Sequence, residues 1–122
     1  MKTIFAVDDS PTARASIEYT LSKAGFKVVL AEDGVKALEQ IPSTTGIDVF
    51  LFDVNMPNMD GITLIKEVRK LSDHKFTPIL FLTTESQESK KMEGKAAGAS
   101  GWVVKPFDPE QLVAVITRFA GE

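Results

Sequence analysis

Short apolar runs punctuate the chain at residues 4–7, 28–31, 47–52, 79–82 and 102–104. Each is short, nearly continuous and rich in β-branched or aromatic residues, the pattern of strands buried on both faces of a sheet. Between the runs the apolar spacing lengthens to that of a helix. Ala13, Ile17, Leu21 and Ala24 form one stripe, and Val35, Leu38 and Ile41 a second. Ile62, Ile65 and Val68 form a third, and Leu112, Val115, Ile116 and Phe119 a fourth. Ser10-Pro11 and Asp108-Pro109 place a capping side chain ahead of a proline, which marks a helix start. Gly25 is placed to end the first helix. Residues 86–97 also read as a helix, with a thin apolar face of Met92 and Ala96. Gly94 costs that helix about 1 kcal/mol against alanine, so it is expected to be weakly held.

Strand and helix signals that alternate in this way imply a parallel sheet with helices on both faces. For five strands the doubly wound order is 2-1-3-4-5. Ligands then sit at the carboxyl ends of strands 1 and 3, where the order reverses.

Composition narrows the class. The chain has 122 residues, of which 43% are hydrophobic and 25% charged, and it is expected to be one domain over residues 1–122. A net charge of −3 argues against general nucleic-acid binding, which needs a basic face. The absence of cysteine excludes disulfides and thiolate metal sites. The opening MKTIFAV briefly imitates a signal peptide, but Asp8 and Asp9 end its apolar run too early. No segment approaches membrane-spanning length, and a cytoplasmic monomer is the expectation.

The chemistry lies at the strand ends. Strand 1 ends in Asp8-Asp9, strand 3 in Asp53, strand 4 in Thr83-Thr84 and strand 5 in Lys105-Pro106. Each has an ordinary reading as a cap, a turn residue or a solvated charge. Their coincidence at one edge of the predicted sheet is much harder to explain in that way. Two like charges ~4 Å apart repel by about 4 kcal/mol at an effective dielectric of 20, so gathered carboxylates need an offset. Hard oxygen ligands without His or Cys suit Mg²⁺, completed by a backbone carbonyl from the next loop. Lys105 and Thr83 beside such a metal can bind phosphoryl oxygens. Asp53 can then act as the nucleophile that becomes an aspartyl phosphate.

At these residues the sequence resembles the receiver domain of two-component response regulators. The resemblance rests on Asp8-Asp9, the run from Asp53 to Gly61 (DVNMPNMDG), Thr83 and Lys105-Pro106-Phe107, and it spans nearly the whole chain. The segment from Thr83 to Phe107 is similar to the CheY-type, stand-alone chemotaxis branch. The resemblance implies a flavodoxin-like, CheY-like (βα)5 fold. It implies that Asp53 accepts a phosphoryl group from a histidine on a CheA-like sensor kinase. Asp9 would bind Mg²⁺ directly and Asp8 directly or through water, with the Asn55 carbonyl as a further ligand. Lys105 would pair with the phosphoryl group, and Thr83 would move to hydrogen-bond it. Trp102 takes the place of the switch aromatic, usually a smaller Tyr or Phe. The Lys105–Pro106 bond is expected to be cis. Asn55 and Glu85 resemble the chemotaxis pairing associated with rapid self-dephosphorylation. Thr84 stands where Ala or Gly is usual and would narrow access to Asp53.

The implied function is a phosphorylation-controlled binding module whose downstream target is a flagellar-motor switch component, with a phosphatase as a possible further partner. A single-domain phosphorelay intermediate or a phosphate sink is the alternative. A Mg²⁺-dependent phosphatase using Asp53 as nucleophile is a weaker reading, because Asn55 stands where such enzymes carry a second Asp. An FMN carrier is weaker still, since Asp8 and Asp9 would face the phosphate. No DNA-binding segment follows the fifth helix, so direct gene regulation is not expected. His74, the only histidine, reads as a surface residue in a loop beside Asp73. Lys90, Lys91 and Lys95 read as a solvated face, and Met56 and Met59 as loop packing.

Overall fold

A computed structural model describes residues 1–84 and 88–121. Glu85 and Ser86, both used in the sequence reading, lie outside the described residues. Five strands form one parallel sheet: β1 (Thr3–Val7), β2 (Lys27–Ala31), β3 (Ile47–Asp53), β4 (Ile79–Thr83) and β5 (Gly101–Val104). Their order is β2-β1-β3-β4-β5, the predicted doubly wound arrangement. The helices are α1 (Pro11–Lys23), α2 (Gly34–Gln40), α3 (Gly61–Arg69), α4 (Glu88–Ala97) and α5 (Pro109–Ala120).

Alternation along the strands builds two cores. Phe5, Val7, Phe50, Phe52, Ile79 and Phe81 point to one face and pack with Ala37, Leu64, Ile65 and Val68 from α2 and α3. Ile4, Ala6, Val49, Leu51, Leu80 and Leu82 point to the other and pack with Ile17, Leu21, Leu112 and Ile116 from α1 and α5. β1, β3 and β4 are buried along the described face-to-face packing, as read from sequence. β2 and β5 are only partly buried, because each is an edge strand with a single neighbour.

The caps explain the helix starts. The side chains of Ser10, Asp33, Asp60 and Asp108 each accept a backbone N–H from the first turn of α1, α2, α3 and α5. Gly25, with φ 98°, follows the first helix in the left-handed region. The second predicted stripe is corrected at Val35 alone, which is 42% exposed: Ile41 is buried and Leu38 packs against the core, with Gly34 and Ala37 buried beside them.

α4 also departs from expectation. Met92 is 75% exposed and Ala96 is exposed, so neither holds the helix to the sheet. The contacts include Ala97, packed against the core, and Gly94, which is buried against the Phe81 ring. A Cβ at Gly94 would lie 2.7 Å from Phe81 Cε1. The glycine that weakens the helix is what lets it approach the sheet. Beyond α4, Arg69 fixes the chain. Its Nε and Nη2 donate to the Gly98 carbonyl at 3.0 and 2.8 Å, and its Nη1 donates to the His74 and Thr77 carbonyls at 2.9 and 2.6 Å. His74 is correspondingly half-buried, contrary to the surface reading. Its ring lies edge-on to Phe50 at 5.0 Å, and Nδ1 is 3.0 Å from Thr77 Oγ1.

Candidate functional site

Each chemical side chain predicted at a strand end stands at the carboxyl edge of the sheet. Asp53 is the last residue of β3, opposite Leu82 of β4, and Val54 N donates to Leu82 O at 3.2 Å. Asp8 follows β1, and its N–H donates to Ala31 O at 3.2 Å. Lys105 follows β5, and its N–H donates to Thr83 O at 2.7 Å. Backbone ladders of rigid strands therefore set the spacing of these groups, which is why the order of strands decides the chemistry.

Asp8, Asp9 and Asp53 each offer a carboxylate oxygen within 4.8 Å of the others. Asp8 is fully buried and Asp53 nearly so, while Asp9 is exposed and opens the cluster to solvent. Lys105 Nζ lies 2.9 Å from Asp8 Oδ2 and 3.2 Å from Asp53 Oδ1. The Lys105–Pro106 peptide is cis, as expected. Asp8 is further fixed by Ser10 N, which donates to Oδ1 at 3.0 Å, and by Arg14 Nη1, which donates to the Asp8 carbonyl at 2.7 Å. Arg14 was not singled out in the sequence, because its role depends on the first turn of α1 folding back over the strand end.

The electrostatics are unbalanced. Burial first, and then the Asp8 charge, push the Asp53 carboxyl up to about 6, with Asp9 adding to the rise and Lys105 opposing it. Burial disfavours the charge on Lys105, but its contacts with Asp8 and Asp53 outweigh this and hold the ammonium above its ordinary value. Three carboxylates and one ammonium leave two uncompensated negative charges when all are ionised. Asp8 Oδ2 is buried, with the Lys105 ammonium 2.9 Å away as its ion-pair partner. An all-oxygen donor set and excess negative charge fit a hard divalent cation.

Thr83 ends β4 and is buried, with its hydroxyl donating to the Thr84 carbonyl at 3.2 Å. Thr84 is exposed beside it. Trp102 pairs in register with Phe81, its ring centroid 6.2 Å away. The indole is 44% exposed, and the Lys91 ammonium lies 5.4 Å from its centroid. Lys91 therefore does more than solvate a charged face. Asn55 is exposed in the loop between β3 and α3. Met56 and Met59 are partly buried against the core, as loop packing requires.

That loop holds two features that sequence reading missed. Gly61 is packed against the strand end: a Cβ there would lie 2.2 Å from the Asp53 carbonyl oxygen. Asp33, at the start of α2, accepts a hydrogen bond from Asn58 Nδ2 at 3.2 Å. The available signal was the recurrence of Asp-Gly at the start of both α2 and α3.

Comparison with known proteins assigns the chain to a family. Residues 4–117 match the model of the response regulator receiver domain. The chain is 41% identical over 110 residues to chemotaxis protein CheY1 of Helicobacter pylori, covering 89% of each chain. The structure superposes on chemotaxis response regulator CheY4 of Vibrio cholerae with a TM-score of 0.91 and 49% identity, covering 98% of each chain. It also superposes on the receiver domain of sensor histidine kinase PA1611 from Pseudomonas aeruginosa, described with a magnesium ion in its active-site cleft. There the TM-score is 0.90 and the identity 27%, over 99% of this chain and 98% of that one. Among the described residues no helix is long and apolar enough to cross a membrane. The chain belongs to the response regulator receiver family, as a phosphoacceptor regulator of its CheY-type chemotaxis branch.

Proposed function

We propose that Asp53 is the phosphoacceptor and that Mg²⁺ is held by Asp8, Asp9, Asp53 and the Asn55 carbonyl. The observation that carries this reading is the convergence of Asp53 with Asp8, Asp9 and Lys105 at the sheet's switch point. Bound there, Mg²⁺ would neutralise carboxylate and phosphoryl charge. Asp53 Oδ would attack phosphorus in line with the donor bond. The new P–O bond forms as the P–N bond to the donor histidine breaks, and the imidazole keeps that electron pair and takes up a proton. Lys105 would exchange part of its pairing with Asp53 for the new phosphoryl oxygens. Thr83 would turn its hydroxyl toward them. Such a change biases an existing equilibrium between two arrangements of α4, β5 and α5.

The phosphodonor in this reading is a histidine of a CheA-like sensor kinase in the cytoplasm, and the target is a flagellar-motor switch component. Asn55, Glu85 and Thr84 would set the lifetime of the phosphoryl group, alone or with a phosphatase. The chain itself performs only its own phosphorylation and dephosphorylation. A phosphorelay shuttle would share the site but show no phospho-dependent binding to motor components.

Trp102 provides the test. It is the only tryptophan, and its partial exposure makes its emission sensitive to a change in burial. Acetyl phosphate with Mg²⁺ is expected to change Trp102 fluorescence in the wild type and not in Asp53→Asn. An equal response in the variant would refute the assignment of Asp53.

A further inference from the structure

The loop between β3 and α3 carries Asn55, yet the loop is tied to α2 as well as to its own two ends. At its base Gly61 N donates to Val54 O at 2.9 Å. On its far side Asn58 Nδ2 donates to Asp33 Oδ2 at 3.2 Å. The same Asp33 uses Oδ1 to accept from Lys36 N at 2.9 Å, capping α2. Asp33 is 7% exposed, and Asn58 supplies a hydrogen-bond donor to its second oxygen. Asn58 sits at φ 69°, a conformation that asparagine tolerates better than most residues. Next to it, Met59 lies over Gly34, where an added Cβ would be 3.0 Å from Met59 Cβ, Cγ and Sδ. One short stretch, Asp33-Gly34, thus grips two successive residues of the loop. Asn55, Met56 and Pro57 span the interval between this grip and Val54, which the Gly61 hydrogen bond holds.

We infer that Asp33 and Asn58 form a clamp that positions the Asn55 carbonyl for Mg²⁺, making both positioning residues for phosphorylation. The inference rests on the proposed Mg²⁺ site. A backbone carbonyl has no rotamer with which to seek a metal; it binds only if the loop already holds it in place. Octahedral Mg²⁺ tolerates little error in ligand position, so freedom in this loop appears directly as lost affinity. The clamp also gives the start of α2, which contributes none of the proposed ligands, a route to the metal site.

Two substitutions separate the clamp from its other duties. Asp33→Ser keeps a capping oxygen for α2 and removes the second oxygen. Asn58→Gly keeps the left-handed backbone and removes the amide. Mg²⁺ titration of the full chain by calorimetry should show each variant binding about 3- to 10-fold more weakly than wild type, the loss of one hydrogen bond. The double variant should bind no more weakly than the worse single one, because both remove the same interaction. Amide hydrogen exchange of residues 55–59 should quicken in metal-free Asn58→Gly. Unchanged Mg²⁺ affinity in both variants, with wild type binding normally, overturns the clamp and leaves the site intact. Additive losses in the double variant also overturn it. A wild type that binds no Mg²⁺ overturns the metal site itself, and the clamp's role with it.

Discussion

Asp53→Asn is expected to make the metal-free protein more stable near neutral pH. The side chain is 9% exposed and its ionisation is shifted from 3.8 to about 6, chiefly by burial and then by Asp8. An acid whose folded value is raised resists ionisation in the fold. Its penalty is absent below about 4, grows as pH rises toward 6, and is complete above it. At 1.36 kcal/mol per pH unit, the penalty is on the order of 2–3 kcal/mol, lost stability that the amide does not incur. The variant should therefore melt several degrees higher at neutral pH, with the gain shrinking toward pH 4. Mg²⁺ should stabilise the wild type more than the variant, since the cation relieves a charge that the variant lacks. Thermal melts over pH with and without Mg²⁺ measure both effects. A variant less stable than wild type at neutral pH would show that Asp53 is held by contacts other than those described. The site would in that case store no electrostatic strain.

Gly61→Ala is expected to damage folding and phosphorylation together. The added Cβ would meet the Asp53 carbonyl oxygen at 2.2 Å, with the Asp53 carbonyl carbon and Val54 Cα each at 3.0 Å. All three belong to the backbone at the end of β3, so no side-chain rotation can make room. The α3 start must move away, stretching the Gly61 N–Val54 O bond, or the strand end must shift. Overpacking of this kind costs about 1–3 kcal/mol. The displaced atoms belong to the phosphoacceptor, and an error of about 1 Å at a reacting group can cost ~10²-fold in rate. Urea denaturation and the rate of phosphorylation by acetyl phosphate should both change. Wild-type values in either measurement would mean that the loop absorbs the methyl group without moving Asp53.

Much of this structure was legible because its main constraints are local or periodic. The apolar runs and the helical stripes specified the alternation, and the alternation left few sheet orders to choose from. Asp8, Asp53, Thr83 and Lys105 could be placed together because each sits at the end of a run whose neighbours pair in parallel. Close approach was not legible. Gly94 reads as a weak point in a helix until Phe81, 13 residues earlier, is seen beneath it. Gly61 reads as a turn glycine until the Asp53 carbonyl is seen against it. The Asp33–Asn58 pair is 25 residues apart, and no periodicity links the two. Val35 shows a related limit: Leu38 and Ile41 of its stripe do meet the core, but at the first turn of the helix small Gly34 takes the inward place and Val35 is left exposed. His74 was read from its loop context, which says nothing of Phe50 beneath its ring.

Phosphorylation at Asp53 is tested most directly by trapping the phosphoryl group on the protein. Wild type should be incubated with Mg²⁺ and acetyl phosphate, reduced with borohydride to convert aspartyl phosphate to homoserine, and mapped by peptide mass spectrometry. Conversion is expected at residue 53, abolished by chelation of the metal and absent in Asp53→Asn. Conversion at another aspartate, or none at residue 53 in a protein that binds Mg²⁺, would contradict that assignment.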